Sequence, residues 1–129
     1  MSTLHDASRA GDTERVKQLL DDGAPVDEKD KGGWTALMWA SWEGHTEVLQ
    51  LLLNKGALID DKSKDGMTSL MKASYKGHTE VVQLLLDKGA LLDEKNKYGT
   101  TALMLASRYG HTETVQLLLD KDASLDEKD

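Results

Sequence analysis

The sequence predicts an all-α solenoid of stacked helix-turn-helix units joined by β-turn finger loops, with no single central core. Three observations carry that prediction. First, the chain repeats itself every 33 residues: Gly33 to Gly66, GWTALMWASWEGHTEVLQLLLNKGALIDDKSKDG, is followed in register by MTSLMKASYKGHTEVVQLLLDKGALLDEKNKYG and TTALMLASRYGHTETVQLLLDKDASLDEKD. Neighbouring copies agree at roughly two thirds of positions, and a period of that length marks an array of supersecondary units. Second, each interior copy holds two helical segments separated by one Gly and closed by another. Third, the second segment is apolar over too broad a face for one-sided packing, so its neighbours must bury it.

Taken in order, the first copy spans Met1 to Gly33 and is degenerate, with AGDTERVKQLLDDGAPVDEKDKGG holding the common register. In the second copy the first helix begins near Thr35, whose hydroxyl is a good N-cap, and ends at Gly44, which can take the left-handed conformation. Ala40 and Ser41 are small enough to let a neighbour approach. At about 100° per residue, Trp39, Trp42 and Glu43 share one face of this helix, with Leu37 and Ser41 opposite. The second helix begins near Thr46, carries Val48, Leu49 and Leu51 to Leu53, and stops at Gly56. The stretch to Gly66, with Asp60, Asp61 and Asp65-Gly66, suits an extended finger closed by a tight turn. Repeats are expected at 1–33, 34–66, 67–99 and 100–129, forming one domain.

These motifs resemble those of ankyrin-repeat proteins over essentially the whole chain. The T-P-L-H-x-A-A segment of that family stands here as TALMWAS, TSLMKAS and TALMLAS, with Ser2-Thr3-Leu4-His5 in the first copy. Its G-H-x-E-x-V-x-x-L-L-x-x-G-A segment is matched by Gly44 to Ala57 and Gly77 to Ala90. Ala36, Ser69 and Ala102 replace the family's Pro, and Met38, Met71 and Met104 replace its His. The resemblance implies that a hydrogen bond from His to the Thr hydroxyl is lost and that Met supplies packing in its place.

The end copies depart from the middle ones. Val48 and Val81 become Arg15 and Thr114, and Leu58 and Leu91 become Pro25 and Ser124, which reads as polar capping of the outer faces. Asp122 stands where Gly23, Gly56 and Gly89 stand, so the last helix is expected to end there, poorly capped and frayed. Leu118 is expected to lose one stacking partner.

Composition narrows the function. The net charge of −7 disfavours nucleic acid and anionic membranes, where affinity comes from clustered Lys and Arg. With no Cys there are no disulfides and no thiolate sites. The start, MSTLHDASRAGD, has no apolar signal core, and no run approaches a membrane span, which points to a reducing cytoplasmic or nuclear setting. His45, His78 and His111 recur after the helix-turn Gly, with Asp12 in the first copy. Equivalent side chains of stacked units sit about 10 Å apart, too far to share a metal ion, so they read as helix N-terminal residues. Asp27-Glu28, Asp60-Asp61, Asp93-Glu94 and Asp126-Glu127 alternate with Lys29, Lys62, Lys95 and Lys128. A periodic row gives no pair of carboxyls distinct environments, so these read as a solvated loop edge. No enzyme and no cofactor are expected.

The aromatic residues carry the functional signal. There is no Phe, and all three Trp and three Tyr fall where the copies disagree. In ankyrin-repeat proteins such variable places, the finger tips and the exposed side of the first helix, line the concave face that meets partners. The resemblance therefore assigns partner binding to Trp34, Trp39, Trp42, Met67, Lys72, Tyr75, Lys76, Tyr98, Arg108 and Tyr109. Trp and Tyr dominate binding hot spots, and an apolar cluster on a charged surface marks a contact site. The bland alternative is that Trp34, Trp39 and Trp42 only cover one another. Lys72, Lys76 and Arg108 suit a protein or peptide partner with apolar anchors and some carboxylates. The chain reads as a monomeric, non-catalytic binding scaffold; the alternative is a consensus-like or engineered array with no evolved target.

Overall fold

The computed structural model of the protein describes residues 3–126. Among them eight helices follow one another in four pairs: α1 (Leu4–Ala10) with α2 (Thr13–Asp21), α3 (Ala36–Glu43) with α4 (Thr46–Asn54), α5 (Ser69–Lys76) with α6 (Thr79–Asp87), and α7 (Ala102–Arg108) with α8 (Thr112–Asp126). Among the described residues there are no strands, and no helix is long and apolar enough to cross a membrane. First helices pack closely on first helices along α1, α3, α5 and α7. Second helices form a looser row behind them.

Each first helix is started by a threonine. Thr35, Thr68 and Thr101 accept the backbone N–H three residues on, which satisfies one of the donors that a helix start leaves open. In the first copy the cap shifts by one residue to Thr3, which forms a capping box with Asp6. The expected Ser2 lies outside the described residues, as do Glu127 and Lys128. Met38 does more than pack, since Thr35 N–H donates to its sulfur at 3.4 Å while Thr35 Oγ1 accepts from Met38 N–H. Sulfur is a weak acceptor, so this is a second, weak bond at the helix start, made to the backbone and not to the threonine hydroxyl.

The repeats are stitched by side chains that read from the sequence as bland. His45, His78 and His111 each place Nε2 on a backbone carbonyl of the preceding unit, those of Arg9, Trp42 and Tyr75, at 3.0, 2.9 and 2.8 Å. His45 and His78 stand at the N-cap position of their helices, yet neither side chain caps the helix. A Cβ on Gly44 would sit 2.7 Å from the His78 ring, so this left-handed glycine also clears room for the stitch. Asp27 and Asp60 are not a merely solvated edge either. They accept from the backbone N–H of Leu58 and Leu91 in the next unit, at 2.8 and 2.9 Å.

Four expectations about the ends are overturned. Thr114 is fully buried and shares a 2.9 Å hydrogen bond with Thr79, so it faces the preceding repeat rather than capping an outer surface. Leu58 and Leu91 are exposed, so their replacement by Pro25 and Ser124 adds no polar cap. The last helix does not stop at Asp122 but runs on to Asp126, 15 residues against nine in the other second helices. Without Gly there is no cheap left-handed exit at this point, and continuing the helix avoids that strain. Leu118 is as buried as Leu52, against the expectation of a lost partner.

Candidate functional site

The fingers set the stage for the aromatic residues. Each closes on a turn whose first residue, Asp30, Ser63 or Asn96, accepts from backbone N–H groups two to four residues on. Its own backbone carbonyl accepts from Gly33, Gly66 or Gly99. All three glycines have positive φ, and a Cβ on Gly33 would stand 2.9 Å from the backbone N of Lys64, so consecutive fingers approach too closely for a side chain there. Lys64 N–H donates to Gly32 and Lys97 N–H to Asp65, which ties finger to finger.

From this frame five rings run in one line of contact. Trp39 and Trp34 stand 4.1 Å apart between centroids, Trp34 and Trp42 meet edge to face at 5.6 Å, Trp42 stacks on Tyr75 at 5.2 Å, and Tyr75 lies 4.3 Å from Tyr109. The line crosses three successive first helices. Trp34 enters from the finger, immediately before the Thr35 cap, while Trp39 and Trp42 lie one turn apart on α3, Tyr75 lies on α5, and Tyr109 follows α7 as its C-cap. Trp34, Trp39, Trp42 and Tyr75 are half-buried and Tyr109 is exposed. The rings do cover one another, as the bland reading held, and each retains an accessible edge. The His78 and His111 stitches hold the carbonyls of Trp42 and Tyr75, so the array's own fastenings position two of the rings.

Eight of the ten expected residues line a single groove of about 280 Å³: Trp34, Trp42, Met67, Lys72, Tyr75, Tyr98, Arg108 and Tyr109, with Asp65, Asn96 and Leu105 completing it. Trp39 and Lys76 stand outside it. Trp39 borders a neighbouring hollow with His5, Asp6, Arg9 and Asp30, and Lys76 Nζ lies 4.8 Å over Trp42. Tyr98, at a finger tip, is 75% exposed and has Lys97 Nζ at 5.2 Å. Met67 is half-buried and its sulfur receives Asn96 Nδ2 at 3.4 Å. Arg108 is exposed.

Lys72 is placed otherwise than the sequence suggested. It is expected among surface cations, yet only 3% of it is exposed, with Nζ on the face of Trp34 at 3.2 Å and 5.9 Å from Trp42. Burial lowers its pKa to about 8, with Asp65 and Asp30 pulling the other way. The cause is register. The equivalent positions in the flanking repeats are Trp39 and Leu105, both apolar, so Lys72 occupies a place shaped for a hydrophobic side chain while its stem packs and its head rests on indole.

Asp30 is the residue that sequence reading missed. Its carboxylate accepts from Gly32 N–H at 3.0 Å, Trp34 N–H at 2.9 Å and Trp39 Nε1–H at 2.9 Å, anchoring both tryptophans at once. Burial alone would raise its pKa, but these hydrogen bonds, first the Trp39 indole and then the two amides, leave it lowered. The signal was present, since Asp at the head of a turn is an Asx motif, but its second partner nine residues away was not. Arg9 completes this end, 4.5 Å over the Trp39 ring and 3.4 Å from Glu43.

Chemically the site offers aromatic faces, exposed cations and one largely buried lysine. Among the described residues no group of three His, Asp or Glu converges as metal ligands would. No curated protein was found to match the chain. A family model described as ankyrin repeats, in three copies, matches residues 1–63 and 58–129, which together cover the whole sequence. Helix pairs at the 33-residue period, left-handed glycines between them and stacked finger turns agree with that match, and the chain belongs to the ankyrin-repeat family.

Proposed function

We propose that the protein is a non-catalytic scaffold that binds a protein or peptide partner across its aromatic line, on the concave side of the array. Ankyrin repeats generally mediate protein–protein interaction, and the family is typically non-enzymatic. The observation that supports the finer reading is the unbroken ring contact from Trp39 to Tyr109, built from positions at which the repeats differ while their core positions agree. Core residues recur because every repeat needs the same packing; rings at positions whose residue type changes from copy to copy serve something that is not repeated. The surface is preorganised by the Asp30, His78 and His111 bonds, so little conformational entropy is lost on binding. Trp42 and Tyr75, at the centre of the line, are the anchors, with Trp34, Tyr98 and Tyr109 around them. The partner brings apolar anchors and some carboxylates, and the scaffold acts as a monomer.

The test is capture from a lysate by the wild type and by a Trp42→Ala, Tyr75→Ala double variant, with melting of both followed in parallel. A captured protein lost from a variant that still melts cooperatively supports the reading, and its affinity should fall by about 2 kcal/mol or more, the size of a hot spot. Capture that is indifferent to the two rings overturns it.

A further inference from the structure

We propose that Lys72 is a receptor for one carboxylate side chain of the partner, taken into the groove between its ammonium and Arg108 while neighbouring apolar residues rest on Trp42 and Tyr75. This rests on the aromatic line being the partner site and names the chemistry read there. An ammonium has three donors, and burying them unpaired is costly. Among the described residues Lys72 makes no ion pair and no hydrogen bond; its one close partner is the Trp34 ring. The acids nearby are already committed: Asp65 is paired with Lys97 at 3.2 Å, and Asp30 holds three donors. The groove lined by Lys72, at about 280 Å³, falls just below the range for small-molecule sites, roughly 300 Å³ and upward, and suits an inserted side chain.

Charge selects the side chain. Arg108, on the same groove, and Lys76, beside it, are also unpaired among the described residues, which leaves a positive spot on a chain of net charge −7. Such a spot steers an acidic segment and disfavours a basic one. A carboxylate arriving at Lys72 replaces the solvation that burial removed, so it binds the protonated amine and draws the proton more tightly. The titratable groups that line the groove with Lys72 or act on its charge are Tyr75 on its own helix, Arg108 and Tyr109 at the end of α7, and Asp30, Asp65 and Tyr98 on the fingers, with Lys76, Glu43 and Lys97 on the elements packed beside them. No residue of α6 lines the groove. Burial brings the Lys72 pKa down to about 8, so Lys72 itself changes charge between pH 7 and 9. Affinity is therefore flat below pH 8 and falls as Lys72 loses its proton above it.

The experiment selects random displayed hexapeptides on the intact chain, then remakes the enriched sequences with blocked ends and measures their binding by calorimetry. The expected peptides carry Glu or Asp beside an apolar residue. Replacing that Glu by Gln, or Lys72 by Met, weakens binding at least about tenfold, Lys72→Arg restores part of it, and wild-type affinity drops by up to about tenfold per pH unit above pH 8. The Lys72→Met variant loses that pH dependence. The amine's own titration, followed by carbon NMR at Cε, moves upward when peptide is bound. Peptides that need Trp42 but neither Lys72 nor a carboxylate overturn this proposal and leave the partner-site reading standing. Peptides indifferent to Trp42 and Lys72 alike overturn both.

Discussion

The interior repeats and the last described repeat are nearly the same sequence, and they differ most at positions that, in the interior repeats, are covered by the next unit. Met38 and Met71 are 0% and 1% exposed, whereas Met104, in the same register, is 49% exposed. Leu52, Leu85 and Leu118 are all buried, although Leu118 belongs to the last unit. A repeat therefore has two kinds of apolar position. Some are covered by the unit's own first helix and the preceding repeat, and others only by the unit that follows. Sequence identity between copies conceals this difference, because stability in such an array is a sum of intrinsic and nearest-neighbour terms.

The comparison is sharpest at methionine. Met71→Ala should cost about 2 to 5 kcal/mol, the range for truncating a large buried side chain, while Met104→Ala should cost under about 1 kcal/mol. Urea melts of the two variants measure it, and equal losses would mean that Met104 is covered in solution. The leucines run the other way. Leu52→Ala and Leu118→Ala should lose similar amounts, again about 2 to 5 kcal/mol, and a much cheaper Leu118→Ala would show that the last repeat opens independently of the rest.

Lys72 tests the interior itself, because it places a charge where Trp39 and Leu105 place apolar groups. The unfolded chain holds the Lys72 proton up to about pH 10.5, while the folded chain holds it only to about 8. Between those values the unfolded state binds more protons, so stability contributed at this site rises with pH, by up to about 3 kcal/mol across the interval. Lys72→Met lacks that rise, so at pH 7 it should match or exceed the wild type, with the gap closing toward pH 10.5. Chemical melts at several pH values show this directly, and a constant difference between the two proteins would refute it.

The smallest effect is expected at Asp122, which lies inside α8. Asp122→Gly should weaken the end of this helix by about 0.5 to 1 kcal/mol, the cost of glycine in a helix interior. Hydrogen exchange of Val115 to Leu119 follows it, and slower exchange in the variant would indicate that a helix stop at this position is the better state.

Most of the architecture was legible in the chain. The period, the threonine caps, the left-handed glycines and the tight finger turns are local chemistry, and local chemistry repeats with the sequence. The aromatic line was legible as a set of residue types at varying positions, and eight of the ten residues proposed for partner binding share one groove. Its wiring was not. That Asp30 anchors two tryptophans, that His78 and His111 hold the carbonyls of Trp42 and Tyr75, and that Asp27 and Asp60 reach the next repeat depend on partners between nine and 36 residues away.

By itself, then, the sequence determined the repeating unit, its two helices, their starts and most of their stops, because these follow from backbone preferences within a few residues. Only the tertiary structure decided which side of each helix finds cover. Thr114 reads as a polar cap and is buried; Leu58 and Leu91 read as positions that only the end units make polar and are exposed in the interior units too; Lys72 reads as a surface cation and is enclosed by indole. Exposure is a property of the gap between one repeat and the next. That gap is set by how two units of the array settle against each other, which no window of a single unit contains.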